Sequence, residues 1–274
     1  SLLRTRRWTL VAGTVLFATI LASQILAPWI APQSPSAQRL LGRLADPSWH
    51  HLLGTDHLGR DVFSRLLFGG RFSLLVAAAT LALSAVLGTA AGILSARIGG
   101  VLDEFLMRVV DLLISFPDVV VAIFLIAIVG QGYGTLIVAL TIVGWTPFAR
   151  LARGLTLGVN AREFVAAAEV LGCRPRFIMT RHILPNILRP IAAMGFLRFG
   201  HKLITVGGLS FLGLGVRPPT PDWALMLAES QSYVERAPLL MLAPGAMIFL
   251  SALAVTWIGQ GLEPRSMAGG RIGG

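Results

Sequence analysis

Apolar residues gather in six long blocks set apart by shorter polar stretches, and each block is long enough for the ~20 residues that a bilayer-spanning helix needs. The first uncharged run, Trp8 to Ala31, follows Arg4, Arg6 and Arg7. A cleaved signal peptide opens in the same way, but its apolar core is shorter and ends at a small-residue cleavage site. This run ends instead at Pro28-Trp29-Ile30-Ala31-Pro32, an interface and a turn, so it predicts a first transmembrane helix with its N-terminus in the cytoplasm. Residues 33–71 are polar and rich in Pro, Gly and Arg, which predicts a long loop with short helical pieces. Within it Val62, Phe63, Leu66 and Leu67 lie opposite Arg60, Ser64 and Arg65, a pattern for a short helix at the membrane surface.

Further blocks predict helices over 72–97, 103–130 with a kink at Pro117, 135–149 with a more polar continuation to 158, 187–212 and 237–262. Thr80, Ser84, Gly88, Gly92 and Ala96 recur every four residues in the second helix. Small side chains at that spacing make a smooth face on which another backbone packs closely, so Gly88 and Gly92 are read as helix-packing residues. At the start of the third helix the pairs Glu104/Arg108 and Arg108/Asp111 are spaced to meet along its surface. Residues 213–236 form a Gly/Pro-rich segment, and the tail 263–274 ends in a Gly-rich stretch from 268 that reads as disordered. The domain reading is therefore 1–71 for the first helix and extracytoplasmic segment, 72–262 for a membrane core with a loop at 150–189, and 263–274 for a cytoplasmic tail.

Composition supports this picture. Charged residues are 13% of the 274, against about 25% in an ordinary soluble domain. That excludes a soluble enzyme, a disordered tail and a disulfide-stapled secreted domain; the single Cys173 cannot form an internal disulfide. The net charge of +10 comes almost wholly from arginine, with Lys202 the one lysine. In a membrane chain it reflects the excess of basic residues in cytoplasmic loops and the anionic inner leaflet, rather than nucleic-acid binding. Six spans put both termini on one side, together with the 97–103 turn and the Arg-rich 150–189 loop. The 33–71 loop dissents with five arginines, offset in part by Asp46, Asp56 and Asp61, but long loops weigh little in this rule.

Bond-breaking chemistry has no carrier here. No zinc-binding His-Glu-x-x-His, phosphate-cradling Gly-x-x-x-x-Gly-Lys or Gly-x-Ser-x-Gly elbow occurs. His50, His51 and His57 sit close together in the first loop, either as a metal site or simply solvated. In the 150–189 loop, residues 163–171 favour a helix that Gly172 would stop, with Phe164, Ala168 and Leu171 on one face. A short amphipathic helix flanked by arginines suits docking into another protein's groove, or packing on its own subunit.

Ala166-Ala167-Ala168-x-x-x-Gly172 followed by Leu184-Pro185 resembles the "EAA" loop of ABC-importer permeases, with Ala166 at its first Glu position and His182 at its later Ile position. Arg181-His182-Ile183-Leu184-Pro185-Asn186 is typical of the peptide/nickel branch. So are Leu53-Gly54-Thr55-Asp56-His57-Leu58-Gly59-Arg60-Asp61 and Leu209-Ser210-Phe211-Leu212-Gly213-Leu214-Gly215 with Pro218-Pro219-Thr220-Pro221-Asp222-Trp223. These segments span about 50–262 in the family's order and resemble the C-type permease of dipeptide, oligopeptide or nickel ABC importers. The resemblance implies an all-α polytopic membrane protein with the six-helix type I ABC importer permease fold in a bacterial inner membrane. It implies a B-type permease in a heterodimer, two cytoplasmic ATPase subunits carrying ATP and Mg²⁺, and an extracytoplasmic substrate-binding protein. The chain itself would hold no cofactor and hydrolyse nothing. Glu163, Phe164, Ala167, Ala168, Leu171 and Gly172 would couple it to the ATPases.

Peptide permeases of this type often carry a Glu shortly before Leu-Ser-Phe-Leu-Gly-Leu-Gly. Here Ile204-Thr205-Val206-Gly207-Gly208 has no acid, and Gly200-His201 resembles the nickel/metal-chelate branch. Arg198, His201 and Lys202 share one face of the fifth helix, inside the membrane, where ionisable groups face a cavity or a partner. They read either as a translocation-pathway lining for an anionic or metal-chelated substrate, with His201 a candidate metal ligand, or as partners for acids of the second permease. A di- or oligopeptide importer of the same family is the alternative cargo reading. A proton-coupled secondary transporter would show internal repeats, and a membrane protease or haem subunit would need paired ligands or catalytic groups within helices.

Overall fold

A helix that runs unbroken through a membrane and beyond it organises this chain. In the computed structural model, which describes residues 2–215 and 218–262, that helix is α3, Val62–Ile98, 37 residues long. Asp61 caps it, its Oδ2 accepting from the Ser64 N–H at 2.7 Å, and Gly99 ends it at φ +68°. The surface helix expected over 61–68 is therefore the start of α3. Its Gly69-Gly70 pair does not break the helix because both residues are packing contacts: a Cβ on Gly70 would lie 2.3 Å from the Trp223 ring. Position 72, where the membrane core was expected to begin, falls inside this helix. The tail 263–274 lies outside the described residues.

Before α3 come α1, Leu2–Ile25, and the short α2, Ala27–Ile30. After it α4, Gly100–Ile114, and α5, Asp118–Val129, meet at a bend of 86°. Pro117 was expected to kink one helix; the turn is sharper because proline removes an N–H and clashes with the preceding turn, and α5 restarts on the acid Asp118. Next come α6, Tyr133–Gly144, and α7, Thr146–Asn160, joined at Trp145, then α8, Glu163–Val170, and α9, Pro175–Ile178. A π-helical turn, Met179–Ile183, leads into α10, Leu184–Phe211. The Gly/Pro-rich segment holds α11, Trp223–Ser230, and the described part ends with α12, Leu239–Leu262. Among the described residues there is no β-strand, only an isolated bridge between Thr55 and Asp61.

The architecture is all-α. The helices α1, α3, α6–α7 and α12 are long and apolar enough to cross a bilayer, and the bent α4–α5 pair is a fifth when its two arms are counted as one span. The sixth long helix is α10; its 28 residues reach ~42 Å, and it carries charge at Arg189, Arg198 and Lys202.

Close backbone approach sets the packing. The α3 face of Thr80, Ser84, Gly88 and Gly92 lies against α6 and α7. A Cβ on Gly88 would sit 2.2 Å from the Trp145 carbonyl oxygen, and one on Gly92 2.3 Å from that of Ala149. No side chain fits between backbones at that distance. On the other side of α3, Leu66, Leu74 and Ala77 join Phe199 and Leu203 of α10, Trp223 of α11 and Val255 of α12 in one core.

Substituting Gly88 or Gly92 by alanine should therefore cost about 1–3 kcal/mol through overpacking, and leucine more. The measurement is thermal stability and yield of the chain in detergent. Gly154→Ala, on α7 with open space at its Cβ position, is the control and should change neither.

Candidate functional site

Three places concentrate polar chemistry. The first is α8 and its exit. Val165 and Ala168 are buried against Val159 of α7 and Ile178, Ile183 and Ile187 near the start of α10. Glu163, Ala166, Ala167 and Val170 are exposed on one face at helical spacing, with Phe164, Glu169, Leu171 and Gly172 exposed beside them. Val170 and Leu171 are 88% and 81% exposed. The face expected from Phe164, Ala168 and Leu171 is thus corrected: Ala168 points into its own subunit, because the helix must bury one stripe to be held at all. The helix ends in a Schellman motif, with the Gly172 N–H donating to the Glu169 oxygen at 2.9 Å and the Cys173 N–H to the Ala168 oxygen at 3.0 Å. Gly172 sits at φ +76° with open space around its Cβ position. Only the backbone conformation there requires glycine. His182 packs between the rings of Phe164 and Phe177, at 5.8 and 5.7 Å.

The second place is the middle of α10. Lys202 is 2% exposed. Its Nζ donates to Asp118 Oδ2 at 2.9 Å. The acid comes from the α4–α5 bend, and the lysine stem reaches it past Gly144, whose Cβ position is 3.6 Å from Lys202 Cε. The counter-charge expected from a substrate or a partner permease therefore belongs, for Lys202, to this chain. The sequence reading overlooked Asp118 because the two residues are 84 positions apart and meet only through that bend. His201 is exposed and Arg198 half-buried on the neighbouring face. Farther along α7, Arg153 holds Asp103 with Nε and Nη2, both at 2.6 Å, and Ser95 donates to the same acid. Asp111 pairs with Arg150 rather than with Arg108, whose guanidinium stands 3.7 Å from Glu104 in the open. Across-helix partners win there because α7 packs alongside α4.

The third place lies at the opposite end from α8. Asp56 Oδ2 accepts from Arg60 Nε at 2.6 Å and from Arg65 Nη1 at 2.5 Å. Glu229 Oε2 accepts from Arg60 Nη2 at 2.9 Å and from the same Arg65 Nη1 at 2.8 Å. Both arginines are almost wholly buried. Two charges of each sign close a neutral network that ties the first loop to the end of α11. Burial alone would raise the Asp56 pKa, but Arg65, the Arg60 N–H and the Arg60 guanidinium hold it below its ordinary 3.8. Beside it the Trp223 Nε1–H donates to the Leu66 carbonyl at 2.8 Å, and Asp222 accepts from Ser73. The three loop histidines part company: His51 pairs with Asp61 at 2.9 Å, His57 stacks on Tyr233 at 5.6 Å, and His50 is exposed. Asp56, His57 and Glu229 bring ligand atoms within 4.8 Å of one another. Two guanidiniums already neutralise those carboxylates, so the cluster suits a structural lock better than a dication.

Comparison with known proteins places this geometry. Residues 88–267 match the family model described as "Binding-protein-dependent transport system inner membrane component". The chain belongs to that family. It is 34% identical over 257 residues to the nickel transport system permease protein NikC of Escherichia coli (strain K12), covering 94% of this chain and 93% of that one. It is 35% identical to the di/tripeptide transport system permease protein DppC of Pseudomonas aeruginosa (strain UCBPP-PA14), covering 92% and 86%. With the glutathione transport system permease protein GsiD of Pectobacterium atrosepticum identity is 36%, covering 94% and 86%. Among solved structures, "Crystal structure of an amino acid ABC transporter with histidines" superposes with a TM-score of 0.54 over 71% of this chain and 90% of that one, at 15% identity. That likeness is one of fold.

This inner-membrane permease of the nickel/peptide ABC-importer family thus carries its polar groups at the two ends of the bundle and at one level within it. Arg65 and Glu229 were not legible in the sequence as partners. Their separation of 164 residues is bridged only by the tertiary fold.

Two outcomes follow for the permease. Lys202→Met leaves Asp118 unpaired and should destabilise the chain by about 3–5 kcal/mol, while Lys202→Met/Asp118→Asn should recover most of that. A thermal-unfolding double-mutant cycle in detergent checks it. Because the folded Asp56 has a lowered pKa, its stabilisation is complete above 3.8 and is lost as pH falls through the lower folded value. The acid-side loss of stability in wild type should therefore exceed that of Asp56→Asn, measured by unfolding from pH 6 downward to about pH 3.

Proposed function

We propose that this permease forms half of the translocation pathway of an ATP-driven importer. A second, B-type permease completes the pathway, two ATPase subunits on the cytoplasmic face drive it, and an extracytoplasmic binding protein delivers the cargo. Both termini and α8 then lie in the cytoplasm, and the Asp56–Glu229 network lies on the outer side. ATP and Mg²⁺ belong to the ATPase subunits, and this chain carries no cofactor and no catalytic group of its own.

The observation that carries the reading is α8. It is anchored through Val165 and Ala168 and turned out at Gly172, and it exposes Glu163, Ala167, Val170 and Leu171 next to Phe164. An apolar rim on a rigidly held helix end fits a groove in a moving partner. The cargo reading is nickel or a metal chelate, supported by Gly200-His201 and by the acid-free 204–208 stretch. Small peptides are the second reading, favoured by the likeness to permeases named for di/tripeptides and glutathione.

Gly172→Asp forces a residue with a Cβ into the left-handed conformation and adds a charge beside Leu171. Transport and substrate-stimulated ATPase activity of the reconstituted complex should fall at least about tenfold, the effect of roughly 1.4 kcal/mol. Membrane insertion should remain. Normal coupling in this variant, or a wild-type chain that purifies without ATPase subunits and still transports, refutes the reading.

A further inference from the structure

Charge at the centre of α10 does not balance. Lys202 is buried and engaged by Asp118. Asp118 also lies within electrostatic reach of His201 and Arg198. Arg198 itself makes no hydrogen bond or ion pair among the described residues. One carboxylate thus serves a lysine and an arginine, and one full positive charge is left over midway along a 28-residue helix.

Surroundings narrow what satisfies it. The other faces of α10 pack through Phe199 and Leu203 on α3 and α12. The face with Arg198 continues through His201, Ile204 and Gly208, all three exposed. No heavy atom lies within 4 Å of a Cβ position on Gly208, and the same holds for Gly195 toward the other end. A guanidinium at this depth is costly against lipid, so the open face meets water or an anion.

We infer that Arg198 and His201 bind an anionic group of the carboxylate class on the transported molecule, with the Asp118–Lys202 pair as the fixed wall behind them. This rests on the importer reading above. The guanidinium fork matches a carboxylate with two parallel N–H donors, and the imidazole of His201, one turn along, adds another. Asp118 keeps Lys202 out of the site. The residual charge of one is neutralised by one anionic group, which leaves the cargo held weakly enough to move on.

The test uses the whole complex in proteoliposomes, with Cys173→Ser and His201→Cys in this chain. Thiol labelling by a sulfonate-bearing methanethiosulfonate is compared with labelling by an ammonium-bearing one. The anionic reagent should react about tenfold faster or more. Arg198→Gln should erase that preference and Arg198→Lys should keep it. Sodium acetate should slow the sulfonate labelling where sodium chloride of equal ionic strength does not, and Arg198→Gln should abolish this protection. A thiol at 201 that reacts with neither reagent, with or without ATP, places the face against the partner permease and overturns the inference. A charge preference indifferent to Arg198, or no acetate protection, overturns it as well. ATP-driven uptake is scored separately, so an absent importer activity and an absent anion site are distinguished.

Discussion

Everything in this bundle is referred to the seam where α3 lies against α6 and α7 with almost nothing between the backbones. At Gly88 and Gly92 the partner carbonyls stand where a Cβ would be. Lipid offers apolar side chains no reason to prefer one another, so helices in a bilayer associate through close packing and polar contacts. A seam of small residues supplies the first. It also fixes the second, because polar partners sit at its two ends. Gly144 faces Ser84 at one end and clears the way for Lys202 to reach Asp118. At the other end, one turn past Ala149, Arg153 leaves α7 and clasps Asp103 where Ser95 also reaches it.

Buried charge is tolerated at each point because it is paired within the chain. Asp118 starts α5 at a right-angled bend, where the free N–H groups of a new helix favour an acid. Without Pro117 that carboxylate would lie along a continuous helix rather than at the lysine. The outer network works by the same logic, with Arg65 bridging Asp56 and Glu229 through one nitrogen. Its consequence is topological: it closes the segment before α3 onto the segment between α10 and α12, with Trp223 wedged over Gly69 and Gly70 to fill the joint.

Periodic features were legible in the sequence. The apolar blocks, the four-residue spacing of Gly88 and Gly92 and the stop at Gly172 all depend on neighbours within a few turns. Features created by meeting distant segments were not. Asp118 and Glu229 have no basic residue within six positions of them in the sequence. The helix expected from 72 starts ten residues earlier, at Val62, and sequence alone does not show the indole that gives Gly69 and Gly70 a packing role there. The face of α8 was misassigned for a related reason. Phe164, Ala168 and Leu171 form an apolar line, but so do Ala166, Ala167 and Val170, and only the position of the α7 and α10 ends decides which line goes inward.

That last point governs how force would pass through the chain. The buried side of α8 is one cluster with Val159, at the end of α7, and with Ile183 and Ile187, at the entry to α10. Protein interiors are close-packed and yield little, so a displacement applied at Val170 and Leu171 moves those two helix ends together. Helix α7 packs against the glycines of α3, and α10 carries Lys202, which touches the α4–α5 bend. The π turn at Met179–Ile183 lies just before Pro185 at the entry to α10. Helix α7 joins α8 through only Ala161 and Arg162. Two packed routes thus run from α8 to the ion pair, one along α7 and its seam with α3 and one along α10. Lys202 and Arg198 both stand on α10, so a rotation of α10 against the seam would change the Lys202–Asp118 distance and the facing of Arg198 together.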